Sequence, residues 1–259
     1  MRLQVDHLSF SYGNTKAIED ICLNVEKGEF VGLIGPNGSG KSTVLKNIYR
    51  ALKPEKGSIF LDDEDLFSMS HKESALKLGV VGQENEVPFD FKVEEIVAMG
   101  RSPHKKLFDI DTKEDKRIVH HALEHLGMEG MEKRSYQNLS GGEKQRVIIA
   151  RVIAQETDFF LLDEPTNHLD IGYQLQIFDF VKRLNVTTLS AIHDLNMAAL
   201  YCDRIYALKD GKIVIWGTPK EVLTSENIYS LYGARCDVGI HPITGKVAIT
   251  YLPANINVD

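Results

Sequence analysis

The 259-residue sequence has only three cysteines, a single tryptophan and no excess of positive charge. Its net charge of -7 argues against a protein that binds nucleic acid through a broad basic face. A polyanionic ligand would therefore need a local pocket. Cys22, Cys202 and Cys236 show no C-x-x-C spacing and stand beside no histidine pair, as a zinc site would require. They are interpreted as buried or incidental thiols of a reducing compartment.

Long apolar runs are also missing. No run approaches the ~20 residues that a membrane-spanning helix needs. The best candidate, residues 147–154, is short and contains Arg151. The N-terminus lacks the basic start, apolar core and cleavage site of a secretory signal. Any role at a membrane is therefore expected to depend on a partner.

A glycine-rich stretch, GPNGSGKST at residues 35–43, directly follows the apolar run FVGLI at residues 30–34. A near-continuous apolar run is typical of a strand that a parallel sheet buries on both faces. After the stretch, Val44, Leu45 and Ile48 fall on one face of a helix that is predicted to begin near Lys41. Strand, glycine loop and helix together form the context of a phosphate-binding loop.

The loop residues have the types and spacing that phosphate binding requires. Gly35, Gly40, Lys41 and Ser42 match the pattern G-x-x-x-x-G-K-[ST]. Glycines let successive backbone N–H groups turn inward around phosphate oxygens at a helix N-terminus. Lys41 is predicted to reach the terminal phosphates, and the Ser42 hydroxyl to bind Mg²⁺. The predicted cradle also includes Pro36, Asn37, Gly38, Ser39 and Thr43.

A second apolar strand, FFLL at residues 159–162, ends in two carboxylates. A magnesium site beside a phosphate loop needs an acid at the end of a neighbouring strand. Asp163 is predicted to hold the metal through its water shell. Glu164 is predicted to act as the general base for an attacking water.

The stretch LSGGE at residues 139–143 predicts a capped helix with an unusual first turn. Ser140 and Glu143 fit the S-x-x-E capping box. Gly141 and Gly142 should weaken the helix by about 1 kcal/mol each, a cost that makes sense if their amides must contact a ligand. The sequence therefore predicts a second helix end that faces phosphate.

With these residues the chain resembles the nucleotide-binding subunits of ATP-binding cassette (ABC) transporters over nearly its whole length. GPNGSGKST matches the Walker A loop, FFLLDEP the Walker B strand and LSGGE the signature motif. The resemblance implies an α/β P-loop NTPase with a RecA-like core, an antiparallel β subdomain and an inserted α-helical subdomain. The expected division is a core of residues 1–83 and 157–235, a helical subdomain of residues 84–156 and a tail of residues 236–259. Within the helical part, residues 101–116 are expected to form a polar connection.

The resemblance also assigns roles that spacing alone does not. Tyr12, in FSYG, matches the aromatic residue that stacks on adenine. Gln83 matches the Q-loop glutamine that senses Mg²⁺ and the membrane partner. His193, in AIHDLN, matches the switch histidine near the γ-phosphate, and Asp170, in NHLD, matches the D-loop that crosses to a partner subunit.

Members of this family close two subunits head to tail around ATP, and one chain here carries one copy of each motif. The resemblance therefore implies a homodimer with Mg²⁺ and ATP as cofactors. It also implies a transmembrane permease docked near residues 83–101, a substrate-binding protein as an indirect partner, and no nucleic acid. The expected location is peripheral, on the cytoplasmic face of the cell membrane.

Two stretches bear on the cargo. VEEIVAMGRSPH, at residues 93–104, and HPITGK, at residues 241–246, are similar to subunits of importers for iron siderophores, haem or cobalamin. The main alternative is a soluble accessory ABC ATPase, for example one serving iron–sulfur cluster assembly. A nucleotide-binding regulator without turnover is a further alternative, against which Glu164 and His193 weigh.

Overall fold

The computed structural model describes residues 1–82, 90–106, 109–166 and 169–253. The strands of these residues are β1 (Leu3–Tyr12), β2 (Thr15–Val25), β3 (Phe30–Ile34), β4 (Lys56–Leu61), β5 (Glu64–Asp65), β6 (Leu78–Val81), β7 (Phe159–Asp163), β8 (Thr187–Ala191), β9 (Arg204–Lys209), β10 (Lys212–Gly217), β11 (Cys236–Ile240) and β12 (Val247–Tyr251). The α-helices are α1 (Lys41–Ile48), α2 (His71–Lys77), α3 (Val93–Ala98), α4 (Lys113–His125), α5 (Gly141–Ala154), α6 (Ile171–Arg183), α7 (Leu195–Tyr201), α8 (Pro219–Val222) and α9 (Ser225–Tyr232). Two 3₁₀ helices span Met99–His104 and Tyr136–Asn138.

The chain forms two compact units. The first contains Met1–Phe67 and Thr187–Asp259, and the second contains Ser68–Val186. The predicted boundaries of the core, the helical subdomain and the tail stay a prediction. In the parts of the chain that the structure describes, no helix has the length and apolar character that crossing a membrane requires.

Strand β3 lies between two parallel neighbours in one of the two four-stranded arrangements of the first unit. It pairs in parallel with β8 on one side and with β9 on the other, and β10 continues from β9 as a hairpin. All five residues of β3 are buried, as the apolar run predicts. Because β3 and β8 are parallel, the loops that follow them leave the sheet at the same edge.

The β9–β10 hairpin turns through Asp210 and Gly211, a residue pair that is typical of tight turns. Asp210 and Gly211 have φ values of 49° and 75°, so both central residues adopt the positive φ that a type I′ turn needs. The short helix α8 begins at a typical start signal, with Thr218 before it and Pro219 in its first turn.

The first unit also carries an antiparallel sheet in the order β2-β1-β4-β5. Its pattern is not a simple alternation, because the pairing of β1 with β2 shifts register three times. Two residues of β1, Asp6 and His7, lie opposite Cys22 alone. Two residues of β2, Glu19 and Asp20, then lie opposite the next residue of β1. These first two shifts are β-bulges, one on each strand, and the third leaves Ala17 of β2 without an opposite residue.

The second unit contains the parallel pair β6 and β7 and the helices α2 to α6. Val119 and Leu123 of α4 and its C-cap residue Leu126 are spaced at helical intervals and are buried, so they form the apolar face of this helix. The polar connection predicted for residues 101–116 is wrong at both ends. A 3₁₀ helix continues to His104, and α4 begins at Lys113 because Thr112 accepts a hydrogen bond from the backbone N–H of Asp115 at 3.0 Å.

Residues of the predicted tail form the antiparallel hairpin β11–β12, in which Cys236 lies opposite Tyr251. The hairpin is attached to α7 by the side chain of Asn196. Its Oδ1 accepts a hydrogen bond from the backbone N–H of Ile249 at 2.9 Å, and its Nδ2 donates one to the carbonyl of the same residue at 3.2 Å. The β11–β12 hairpin is therefore part of the first unit.

Candidate nucleotide site

The glycine loop is shaped by contacts that only glycine allows. Gly35 has a φ of 147°, and a Cβ there would lie 2.1 Å from the carbonyl oxygen of Leu208 in β9. Gly40 has a φ of 104°, and a Cβ there would lie 2.6 Å from Ile18 of β2. Both positions combine positive φ with close approach to another strand. The loop is therefore held tightly between β9 and β2 at the end of β3.

Lys41 lies across this loop. Its residue is only 4% exposed, and Nζ donates hydrogen bonds to the carbonyl oxygens of Gly35 at 2.8 Å and Pro36 at 3.2 Å. The hydroxyl of Ser39 is buried and has no hydrogen-bond partner among the described residues. A buried polar group normally has such a partner. A phosphate oxygen can accept from both groups, so the loop fits the polyphosphate that the sequence predicts.

The start of α1 adds to this fit. Gly40 supplies no side-chain cap, and the first turn contains no acidic residue. The positive end of the helix dipole is therefore not neutralised by a carboxylate of that turn. Gly40, Lys41 and Ser42 stand at the helix start as the sequence predicts.

His193 and Tyr12 lie in the same unit as the loop. His193 follows β8 and is exposed. The backbone N–H of Ile192 donates to the carbonyl of Leu33 at 3.0 Å, so His193 leaves the sheet at the edge where the glycine loop begins. Tyr12 ends β1, is 50% exposed and packs edge-on against Phe10. An aromatic ring with one free face is suited to stacking on a base.

The acidic pair lies in the second unit. Asp163 ends the fully buried strand β7 and is itself 1% exposed. Glu164 is half-buried and has a φ of 54°, which a non-glycine residue adopts only when its surroundings hold it there. Val81 pairs with Leu162, so the chain leaves β6 at the edge where Asp163 ends β7. Gln83, the predicted Q-loop residue, lies outside the described residues.

The signature stretch forms the capped helix start that the sequence predicts. The backbone N–H of Ser140 donates to Glu143 Oε2 at 2.8 Å, and the Ser140 hydroxyl donates to the same oxygen at 2.7 Å. Hydrogen bonds from this hydroxyl and from this N–H lower the pKa of the Glu143 carboxyl. Glu143 is therefore held as a carboxylate that orders the first turn of α5.

The two signature glycines have space around them. A Cβ at Gly141 would meet no atom within 4 Å, and one at Gly142 would meet only Tyr173, at 3.5 Å. Neither residue has positive φ. Within the described part of the chain, no close contact therefore requires glycine at these two positions, although each costs the helix about 1 kcal/mol relative to alanine.

Asp170 stands directly before α6 and is exposed. Its backbone carbonyl accepts from the N–H of Tyr173 at 2.9 Å, while its side chain makes no capping hydrogen bond. A carboxylate at this position usually caps the helix. The side chain of Asp170 therefore does not cap α6.

Sequence reasoning missed one residue near the loop. Tyr232, the last residue of α9, is a tyrosine whose pKa is raised by burial, and the backbone of Gly35 lies close enough to oppose that shift. Nearly two hundred positions separate the two residues. No local pattern could have predicted that a side chain of α9 lies near the glycine loop.

Comparison with known proteins agrees with this geometry. The sequence model of the ABC transporter family matches residues 18–167, more than half of the chain. The ferric enterobactin transport ATP-binding protein FepC of Escherichia coli (strain K12) is 40% identical over 97% of this chain and 94% of its own length. The cobalamin import ATP-binding protein BtuD of Halobacterium salinarum (strain ATCC 29341 / DSM 671 / R1) is 37% identical over 98% of this chain, which spans 64% of that longer relative.

A solved structure gives the same result for the fold. The chain superimposes with a TM-score of 0.84 on an inward-facing ABC transporter described as of metal-chelate type, at 28% identity, over 97% of this chain and 98% of that one. The predicted fold class, a P-loop NTPase with the ABC helical subdomain, is confirmed. The chain belongs to the ABC transporter family, as one of its ATP-hydrolysing cassettes.

Proposed function

We propose that this chain is the ATP-hydrolysing subunit of an importer that takes up an iron chelate, haem or cobalamin through a separate permease. The main support for the proposal is the sequence similarity to the ferric enterobactin relative, which extends over nearly the whole chain. The chain also has every residue of the phosphate-binding pattern in its glycine loop. The cobalamin relative and the metal-chelate transporter support the same cargo class. All three kinds of cargo are large metal complexes.

The residues divide the work of hydrolysis. Lys41 and the loop amides bind the β- and γ-phosphates, and Tyr12 stacks on the adenine. Glu164 accepts the proton of the attacking water, and His193 contacts the γ-phosphate. Mg²⁺, held by Ser42, Gln83 and Asp163, would neutralise charge on the phosphate oxygens. The buried position of Asp163 and the constrained backbone of Glu164 support these assignments.

The signature glycines support a homodimer as the active form. Gly141 and Gly142 weaken α5, and among the described residues of their own chain an added Cβ would come no closer than 3.5 Å to any atom, an ordinary contact with Tyr173. The requirement for glycine then comes from outside the chain: Ser140, Gly141, Gly142 and Glu143 approach the nucleotide bound by a second copy, and Asp170 crosses the same interface. A two-fold dimer supplies two such sites from one self-complementary surface.

Closure of the dimer depends on the γ-phosphate. ATP favours the closed form because it contacts both copies, and hydrolysis removes the contacts that favour closure. The permease, docked near residues 83–101, would receive this movement at the cytoplasmic face of the membrane. The substrate-binding protein acts on the permease and contacts this chain only indirectly.

The Glu164→Gln substitution tests hydrolysis and dimerisation together. The variant is expected to bind ATP, to hydrolyse it ~10²- to 10⁴-fold more slowly and to accumulate as a dimer in size-exclusion chromatography with ATP. Glu124→Gln, which alters an exposed carboxylate of α4, is the control and should behave as wild type. Normal turnover in Glu164→Gln would show that another group is the base.

The cargo is tested by reconstitution. The chain is purified with its co-purifying membrane protein in liposomes, and ATPase activity is measured with binding proteins loaded with ferric siderophore, haem or cobalamin. One loaded protein should stimulate ATPase activity. If none does, and the chain stays in the soluble fraction whether or not a permease is present, the accessory ATPase is the better assignment.

A further inference from the structure

Three side chains of different chemistry meet on the antiparallel sheet of the first unit. His7 lies on β1, and Asp20 and Cys22 lie on β2. A ring nitrogen, a carboxylate oxygen and the thiol sulfur all lie within 4.8 Å of one another. His7 Nδ1 is 2.6 Å from Asp20 Oδ1 and 3.7 Å from Cys22 Sγ. None of the three belongs to the predicted nucleotide site.

The two β-bulges bring these side chains together. His7 and Asp20 are the bulged residues, with φ values of 52° and 56°, in a region that residues other than glycine seldom adopt. In a regular ladder, neighbouring residues alternate between the two faces of the sheet. Bulges redirect side chains and are often found beside functional sites. Constrained backbone of this kind is a reason to look for a function.

The geometry excludes a nucleophilic triad. In a triad the base contacts the nucleophile through one ring nitrogen and the orienting acid through the other. Here the carboxylate and the thiol both approach the same ring nitrogen, Nδ1 of His7. The three donor atoms lie close enough together to share one ligand. A shared cation fits such an arrangement.

We propose that His7, Asp20 and Cys22 form a binding site for a divalent transition metal ion of the zinc type. Imidazole, carboxylate and thiolate are the ligands that zinc takes in proteins, and three protein ligands leave the fourth position to water. Zinc bonds of about 2.3 Å to sulfur and about 2.0 Å to nitrogen place these atoms about 3.5 Å apart in a tetrahedron. The observed separation of sulfur and nitrogen is 3.7 Å.

The carboxylate needs only a small adjustment. Oxygen and nitrogen ligands of tetrahedral zinc lie about 3.3 Å apart, so Asp20 would move by less than about 1 Å from its hydrogen bond with His7. Its side chain is 68% exposed and can rotate. The negative charge of the Asp20 carboxylate beside the His7 ring favours a bound cation at this position.

The surroundings of Cys22 suit a bound thiolate. The backbone N–H of His7 donates to its sulfur at 3.2 Å, the type of supporting hydrogen bond that stabilises metal-bound thiolates. Cys22 is exposed and lines an open depression of about 440 Å³ with Trp216 and Tyr206, so ions reach it from solvent. On binding, the thiol proton and any proton on His7 pass to the buffer.

The test uses the full, tag-free chain without nucleotide, with Co²⁺ as a spectroscopic probe and Zn²⁺ in calorimetry. We expect one Zn²⁺ per chain and a thiolate-to-Co²⁺ charge-transfer band that Zn²⁺ removes. Cys22→Ser should abolish the band. His7→Asn and Asp20→Asn should weaken Zn²⁺ binding at least tenfold, and asparagine tolerates the left-handed backbone at both positions.

Two controls keep the result specific. Cys236→Ser alters a buried thiol outside the cluster and should leave the band unchanged. Metal bound at the Mg²⁺ position of the nucleotide site gives no thiolate band, because its predicted ligands contain no sulfur. The proposal is wrong if wild-type protein shows no thiolate band, if Cys22→Ser retains it, or if the His7 and Asp20 variants bind Zn²⁺ as tightly as wild type.

Discussion

Arg101 is expected to be a main determinant of the stability of the second unit. Its side chain is 8% exposed. The guanidinium donates to Asp115 Oδ1 at 3.0 Å, and to the Ala154 carbonyl and Glu156 Oε2 at 2.7 Å each. It thereby joins the 3₁₀ helix Met99–His104 to the start of α4 and the end of α5. Gly100 permits this approach, since a Cβ there would lie 2.1 Å from the Arg151 carbonyl.

The Arg101→Met substitution removes the charge and keeps much of the side-chain volume. Breaking a buried ion pair costs roughly 3 to 5 kcal/mol, because the remaining partner stays buried. Two features reduce the cost here. Asp115 still accepts from the N–H and hydroxyl of Thr112, and the Glu156 side chain, 54% exposed, can return to water. We therefore expect a loss of about 3 kcal/mol in the free energy of unfolding.

Arg117→Met is the matched control. Arg117 also bonds a carboxylate, that of Glu114, but both side chains are 60% exposed. Pairs of this kind contribute about 0.5 kcal/mol or less. Urea denaturation followed by circular dichroism compares the two variants, and hydrogen exchange of α4 and α5 amides localises the effect. Equal stabilities, within about 1 kcal/mol, would refute the role given to Arg101.

Three further outcomes are expected. Lys41→Ala should abolish ATP binding in a fluorescent-nucleotide titration, while Lys46→Ala on the same helix should not; undiminished ATPase activity would contradict the cradle. Gly142→Ala should raise stability by up to about 1 kcal/mol yet reduce ATPase activity, whereas Gly172→Ala, whose added Cβ would meet no described atom within 4 Å, should raise stability alone. The pKa of Asp115 is lowered from 3.8 to about 2, chiefly by the Thr112 backbone N–H. Since this folded-state pKa lies below the unfolded one, its stabilising contribution is complete above pH 4. It falls by at most about 2 kcal/mol as the pH drops towards 2. Urea titrations at stepwise lower pH should show a shallower decline in Asp115→Asn, and parallel curves would contradict this pKa.

Elements with a strong local signal could be predicted from the sequence. The run at residues 30–34 forms β3 with the predicted bounds, because a strand buried on both faces must be continuously apolar. The Asp210-Gly211 turn was equally predictable, since few residue pairs accept positive φ at two successive positions. In both cases the local backbone dictates the residue types.

The start of α4 was missed although its signal is local. Thr112 and Asp115 form a capping box, but they stand in a charged stretch with few apolar residues. The apolar face of α4, at Val119 and Leu123, begins two turns later. The prediction from apolar periodicity therefore extended the polar connection to residue 116, past the start of α4 at Lys113. The cap, and not the periodicity, determines where this helix begins.

The bulges of β1 and β2 can be detected in the sequence from the spacing of the apolar residues. Treating both strands as simple alternations of apolar and polar residues misses this spacing. The buried residues run Leu3, Val5, Leu8 on β1, and Ile18, Ile21, Leu23 on β2. The steps from 5 to 8 and from 18 to 21 are odd, whereas a regular strand repeats every two residues. Each odd step contains one bulged residue, His7 in the first and Asp20 in the second. An odd step in an otherwise alternating strand therefore marks a position where a side chain is redirected.

The nucleotide cradle and the proposed metal cluster differ in the same way. The cradle is made by backbone that only glycine permits, so Gly35 and Gly40 reveal it in a nine-residue stretch. The cluster is made by side chains from two strands, fifteen positions apart, and no spacing pattern connects His7 with Cys22. A site built by one segment of backbone can be recognised in sequence. A site built by the pairing of strands becomes visible only once their register is known.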